Sequence, residues 1–166
     1  MGGVLLLFDR FGPKSPFTLE DWAEEANGIC DQNYSAETQA TAQATASLIA
    51  AETAPTTMPA EQFQGLVYKA AGDVGQIAGS LRKVRNQFDD IKRPEGHGDD
   101  VDQALKKLDE LSRIDADYAD AMRRLTTGEQ VLVTEQVWLR KRNEVAAGVQ
   151  EALTKLGATQ CFRKSE

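Results

Sequence analysis

The chain has 166 residues, 41% hydrophobic and 27% charged, with five prolines, which bounds it to one domain able to bury a true core. Its formal net charge of −7 excludes non-specific nucleic-acid binding, which needs a basic face to displace counterions. The charge is also uneven. No Lys or Arg falls between Lys14 and Lys69, where Glu20, Asp21, Glu24, Glu25, Asp31, Glu37, Glu52 and Glu61 cluster. The first helix is therefore expected to present an acid-rich, solvated surface.

Residues 1–17 read as an apolar segment and a linker. Val4 to Phe8 are apolar without a break, far short of the about 20 residues that span a bilayer. They lack the basic n-region and small-residue cleavage site of a complete signal peptide. The run stops at Gly12-Pro13-Lys14-Ser15-Pro16, much as a membrane helix stops at its boundary. The expectation is the end of a transmembrane or signal segment that starts upstream; the competing reading is a short apolar tail packed on the fold.

From Thr18 the pattern turns helical. Thr18-Leu19-Glu20-Asp21 has a hydroxyl at the N-cap and a carboxylate three residues on, a capping-box signature. The first helix is predicted to run to about Thr53, before Pro55. Its inner face begins with Leu19, Trp22, Ala26 and Ile29, then becomes alanine-rich: Ala36, Ala40, Ala44, with Leu48. Small residues bury little area, so that half contributes less.

Pro59 is placed in the first turn of a second helix, where its missing N–H costs nothing. Phe63, Val67, Ala70, Val74, Ile77, Leu81, Val84, Phe88 and Ile91 step by four and three, a heptad seam that Pro94, Gly96 and Gly98 end. Gly65, Gly72, Gly75 and Gly79 cost it up to about 1 kcal/mol each relative to Ala.

A third helix starts near Asp99 or Asp100 and carries Val101, Leu105, Leu108, Leu111, Tyr118, Met122 and Leu125. Asp115 interrupts its seam. Thr127-Gly128-Glu129-Gln130 caps a fourth helix bearing Val131, Trp138, Val145 and Ala152, joined by Leu132, Leu139, Ala146 and Leu153. Leu156 closes its last turn, and Gly157 is a natural residue to end it. Four segments joined by short turns predict an all-α, antiparallel up-down-up-down four-helix bundle over residues 18–161, with a tail at 162–166.

That topology lays the end of the fourth helix beside the start of the first, where the two cysteines of the chain lie. Cys30 is about three turns into the first helix, and Cys161 lies four residues past Gly157, a reach of about 13 Å when extended. A bridge is feasible and would tie the ends of the chain together, which points to an oxidising compartment. Two separate reduced thiols in a cytoplasmic protein are the open alternative.

The segments around those cysteines resemble a group of small actinobacterial secreted or membrane-anchored helical proteins, some lipoprotein-like, of unknown function. Trp22-Ala23-Glu24-Glu25-Ala26-Asn27-Gly28-Ile29-Cys30 is similar to the group's W-x-x-x-A-x-x-I-C opening. Leu156-Gly157-Ala158-Thr159-Gln160-Cys161 is similar to its L-G-x-x-x-C close. Arg93-Pro94-Glu95-Gly96 and Thr127-Gly128-Glu129 match its Pro-containing loop and its turn. The resemblance covers residues 18–161; the start departs from it, with neither an intact signal peptide nor a lipobox cysteine. It implies a disulfide-closed bundle outside the membrane, and it brings no activity.

Groups with catalytic chemistry are sparse. His97, the one histidine, lies among Glu95, Asp99, Asp100 and Asp102. Zinc wants three or four His/Cys ligands, and the EF-hand spacing for calcium is absent, so the aspartates are read as caps of the third helix. No Cys-x-x-Cys, phosphate loop or dinucleotide fingerprint occurs. Asp115 at an inward position marks a polar pocket opposite Arg142 or Lys141 or, more readily, rotates to the bundle edge or sets helix register through one ion pair. Trp22 and Trp138 read as core anchors.

The expected function is non-enzymatic: a helical-bundle module outside the cytoplasm at the cell envelope, membrane-proximal through its N-terminus, serving interaction or sensing. No catalytic residue, cofactor or metal is assigned. The partner is an unidentified protein or envelope component, and the heptads suit a single bundle or a dimer equally. A small-ligand carrier with a pocket against the alanine-rich face is the alternative, which a core void would favour. A cytoplasmic partner-binding bundle comes next, and an enzyme last.

Overall fold

A computed structural model describes residues 16–162. The apolar run Val4–Phe8, most of its linker and the end of the 162–166 tail lie outside the described residues. Four helices follow one another: α1 (Leu19–Glu52), α2 (Ala60–Asp90), α3 (Gly98–Met122) and α4 (Gly128–Lys155), with a 3-10 turn at Thr159–Phe162. The described residues contain no strand, and none of their helices is long and apolar enough to cross a membrane.

The local signals set the boundaries. Thr18 Oγ1 accepts the Asp21 N–H at 3.1 Å and Asp21 Oδ2 accepts the Thr18 N–H at 2.8 Å, which completes the capping box of α1. Thr127 Oγ1 accepts the Gln130 N–H at 3.2 Å at the start of α4. Gln130 itself reaches past the cap to the Thr126 N–H at 2.8 Å. Pro59 sits at the N-cap of α2, one place before the predicted first turn. The aspartates expected to cap α3 do not: His97 is its N-cap and no side chain bonds there. Asp100 instead meets His97 Nδ1 and Lys155 Nζ, at 3.2 and 2.8 Å. It still lies in the first turn, where the helix dipole favours a negative charge.

Polar pairs show the topology. Asn33–Gln87 and Ser47–Asp73 join α1 to α2 in opposite senses. Ser112 to the Ala78 carbonyl and Arg85 to Asp109 do the same for α2 and α3. Asp100–Lys155 and Asp115–Arg142 do so for α3 and α4. Asn27 meets Gly157 at one end of the bundle, and Gly128 abuts the Ala51 and Glu52 carbonyls at the other, so α4 returns antiparallel to α1. The fold is the four-helix bundle that the periodicity predicts.

Its core forms two clusters. One joins Trp22, Ala26 and Cys30 to Val84, Phe88, Leu105, Leu108, Val149 and Leu153; the other joins Ala40, Ala44 and Leu48 to Phe63, Val67, Val74, Tyr118 and Trp138. Burying a large side chain such as Phe88 contributes about 1.5–3 kcal/mol. The alanines of the second cluster contribute less and rely on Phe63, Tyr118 and Trp138 for bulk.

Three predicted core positions fall elsewhere. Ala36 is exposed, because the inner stripe of α1 runs through Cys30, Asn33 and Glu37 to Ala40. Leu132 and Leu139 are 43% and 39% exposed. Helix α4 packs more closely on α3 than on α1, so its α1-facing edge is left partly bare.

Candidate functional site

Cys30 and Cys161 are bonded, with Cα atoms 5.0 Å apart across 131 positions. The turn after α4 makes this possible. Gly157 adopts φ +81°, and its N–H and that of Ala158 return to the Thr154 and Leu153 carbonyls at 3.0 and 2.9 Å, a Schellman closure. A Cβ on Gly157 would meet Ala23 Cβ at 2.9 Å, so glycine is required twice over. Asn27 then grips the turn: its Nδ2 donates to the Gly157 carbonyl and its Oδ1 accepts the Gln160 N–H. Cys161 is thereby laid against Cys30.

Asp115 is fully buried. Arg142 Nε donates to its two carboxylate oxygens at 2.9 and 3.2 Å, and Trp138 Nε1 donates to Oδ1 at 2.9 Å. Burial pushes the Asp115 carboxyl above the usual range, and the Arg142 charge and the two donors only partly pull it back. Trp138 stacks on Tyr118 with ring centroids 4.4 Å apart and planes 7° off parallel. The residue sets the register of α3 against α4; it does not rotate to the bundle edge. Arg142, one of the two residues expected opposite it, is its ion-pair partner.

Three polar groupings escape a periodicity argument. Ser47 donates to Asp73, and Lys69 Nζ donates to both, at 2.7 Å to Ser47 and 2.6 Å to Asp73. Burial alone would raise the Asp73 carboxyl, but the bonds from Lys69 and Ser47 and the Lys69 charge hold it below the usual range. The Ser47 hydroxyl donates to the Asp73 carboxylate and accepts from Lys69, so the trio ties α1 to α2. Asn33 donates to Gln87 Oε1 and to the Ile29 carbonyl, at 2.9 and 2.8 Å. The third grouping centres on Glu135 of α4, whose carboxyl is raised to about 7 by burial first and then by Glu52 of α1.

Two cavities of about 70 Å³ lie where the core clusters meet. Both touch Glu37 and Leu81; one reaches the Cys30–Cys161 bridge and the other reaches Ala40, Thr41 and Arg142. Burial raises the Glu37 carboxyl. A water takes about 30 Å³, so each cavity suits a couple of waters, well under the ~300 Å³ of small-molecule pockets. A wider groove of about 380 Å³ lies outside the core, between Gln43, Ala46 and Ala50 of α1 and Leu66 and Lys69 of α2. No cluster of three or more His, Cys, Asp or Glu suited to a metal occurs among the described residues. The His97 ring meets Asp100, beside the Asp100–Lys155 pair.

The arrangement defines a four-helix bundle whose ends are clasped covalently and whose middle is held by buried polar pairs. Comparison with family models, curated proteins and solved structures finds no match to this chain.

Proposed function

We propose that this chain is a non-enzymatic interaction or sensing module that works outside the cytoplasm, at the cell envelope, and is held near the membrane through its N-terminal segment. The observation that carries contact with a partner is the outer surface of α4. Leu132, Val133, Val137 and Leu139 are exposed there by 39–55%, and Ile49 of α1 by 53%. Apolar side chains concentrated on one helix and its edge are a feature of protein-contact surfaces. The end-to-end bridge favours an oxidising compartment. The resemblance to the actinobacterial envelope group, carried chiefly by the two cysteine-bearing segments, points the same way.

The test is a photo-crosslinking amino acid at Val133 or Val137 in cells that express the chain, with Glu24 on the acidic face of α1 as control. The reading expects one adduct of discrete mass from the α4 sites, in the envelope fraction, and none from position 24. Equal labelling at all three sites, or adducts confined to the cytosol, would overturn it.

Ligand carriage is the second reading, favoured by the α1–α2 groove rather than by the core cavities, which are too small. A ligand recovered with the native protein and lost on Ala46→Phe would support it.

A further inference from the structure

We propose that two copies of this chain pair through the outer face of α4, antiparallel and about a two-fold axis. The inference rests on the reading of α4 as a contact surface and names its partner as a second copy. Glu129, Val133, Val137 and Lys141 follow one another at intervals of four, so they form one ridge along the outside of the helix. Val133 and Val137 are 55% and 54% exposed. Glu129 at one end of the ridge, and Arg140 and Lys141 at the other, are exposed as well. Among the described residues, no ion pair or hydrogen bond takes up the charges of those three. The neighbouring Arg142, by contrast, turns inward to Asp115.

The ridge runs acid, apolar, apolar, base, and that order complements itself only when reversed. Set two α4 helices antiparallel, with Val133 of one level with Val137 of the other. Lys141 then comes level with Glu129 of the second copy, and Arg140 stands one residue away from that level. The two-fold axis repeats each contact, giving apolar pairs at the centre and an acid facing bases at both ends. A parallel pairing in register would instead set Glu129 against Glu129 and Lys141 against Lys141, which like charges oppose. Charge complementarity thus selects both the partner and its direction.

The wider charge distribution agrees. Each copy carries −7, and α1 bears acids without a Lys or Arg, so its surface repels a twin. Helix α4 holds as many basic as acidic residues, so a second copy meets no net repulsion along it. One helix against its twin is a small contact beside the about 1,200–2,000 Å² of a stable interface. The pairing is therefore reversible, with monomer at about 10 µM and dimer accumulating toward about 1 mM.

Sedimentation of the intact, oxidised protein across that range tests this, with Glu129→Lys and the double variant Arg140→Glu/Lys141→Glu measured singly and mixed. The substituted side chains are exposed, so the bundle itself should melt close to wild type. Wild type should pass from monomer to dimer as concentration rises. Each variant alone sets like charges together at both ends and should weaken pairing about tenfold or more. An equimolar mixture of the two restores opposite charges at both ends and should pair as wild type does. Val133→Asp should abolish pairing. The proposal is overturned if wild type stays monomeric at about 1 mM, if either charge variant pairs as well as wild type, or if the mixture fails to recover. A wild type monomeric throughout, with a discrete adduct to another protein from Val133 in cells, would remove the second copy and keep α4 as the contact surface. Monomer together with equal labelling at Val133, Val137 and Glu24 would remove both.

Discussion

Asn27 of α1 holds the turn that follows α4, donating to the Gly157 carbonyl at 3.1 Å and accepting the Gln160 N–H at 2.9 Å, across 130 and 133 positions of sequence. One short amide thus places Cys161 before any sulfur chemistry begins. Asn27→Ala should cost about 1–2 kcal/mol, the worth of two hydrogen bonds, and slow reoxidation of the reduced protein. Refolding with oxidised glutathione, followed by thiol labelling over time, measures it. Wild-type reoxidation rates in the variant would sink the claim.

Gly157→Ala should be worse than a routine surface change, because it sets a Cβ at φ +81° and against Ala23 at 2.9 Å. We expect a loss of about 1–3 kcal/mol by denaturant melts, with Gly96→Ala, at φ +77° but in open space, costing less.

Asp115→Ala should be among the most damaging single changes, at about 3–5 kcal/mol, because it leaves the buried Trp138 N–H without its acceptor and the half-buried Arg142 without its counter-charge. Adding Arg142→Met should recover part of that loss. A double-mutant cycle by urea melts gives the coupling, and additive losses would deny that the pair acts as a unit.

Stability should peak in mildly acidic solution. The Glu135, Glu37 and Asp115 carboxyls are raised, chiefly by burial, so their contribution is present at low pH and is lost as pH rises through their folded values. Glu135 sets the window between its usual 4.5 and about 7. At about 1.4 kcal/mol per tenfold change in proton affinity the ceiling is near 3 kcal/mol, which solvent screening cuts to roughly 1–2 kcal/mol. In the other direction, Asp21, Asp73, Asp89 and Asp100 are lowered by hydrogen bonds or ion pairs, and their contribution is lost in strong acid. Urea midpoints from pH 3 to pH 8 should therefore trace a maximum near pH 5. A plateau extending to pH 8 would contradict this.

The fold was legible because apolar spacing and caps are local signals. Thr18 with Asp21, Thr127 with Gln130, and Gly157 each announce a helix end within a few residues. The polar interior was not, since its pairs are distant in sequence. Asn33 and Glu37 occupy inward places that an apolar count assigns to Ala36, and only the position of Gln87 and the cavities beside Leu81 explain them. Leu132 and Leu139 were read as core because periodicity cannot show which neighbour a helix lacks. Asp115 was findable, as a carboxylate in a seam; Glu52 and Glu135 were not, as each looks like an ordinary surface glutamate until α1 and α4 are set side by side.

The central claim is a bundle clasped end to end in an oxidising compartment. Its most direct test is the intact mass of natively isolated protein after alkylation, with and without reductant. The account predicts no label until reduction, then two, with a loss of up to about 5 kcal/mol in stability for opening a loop of 131 positions. Two alkylated thiols without reductant would contradict it and favour a cytoplasmic interaction module.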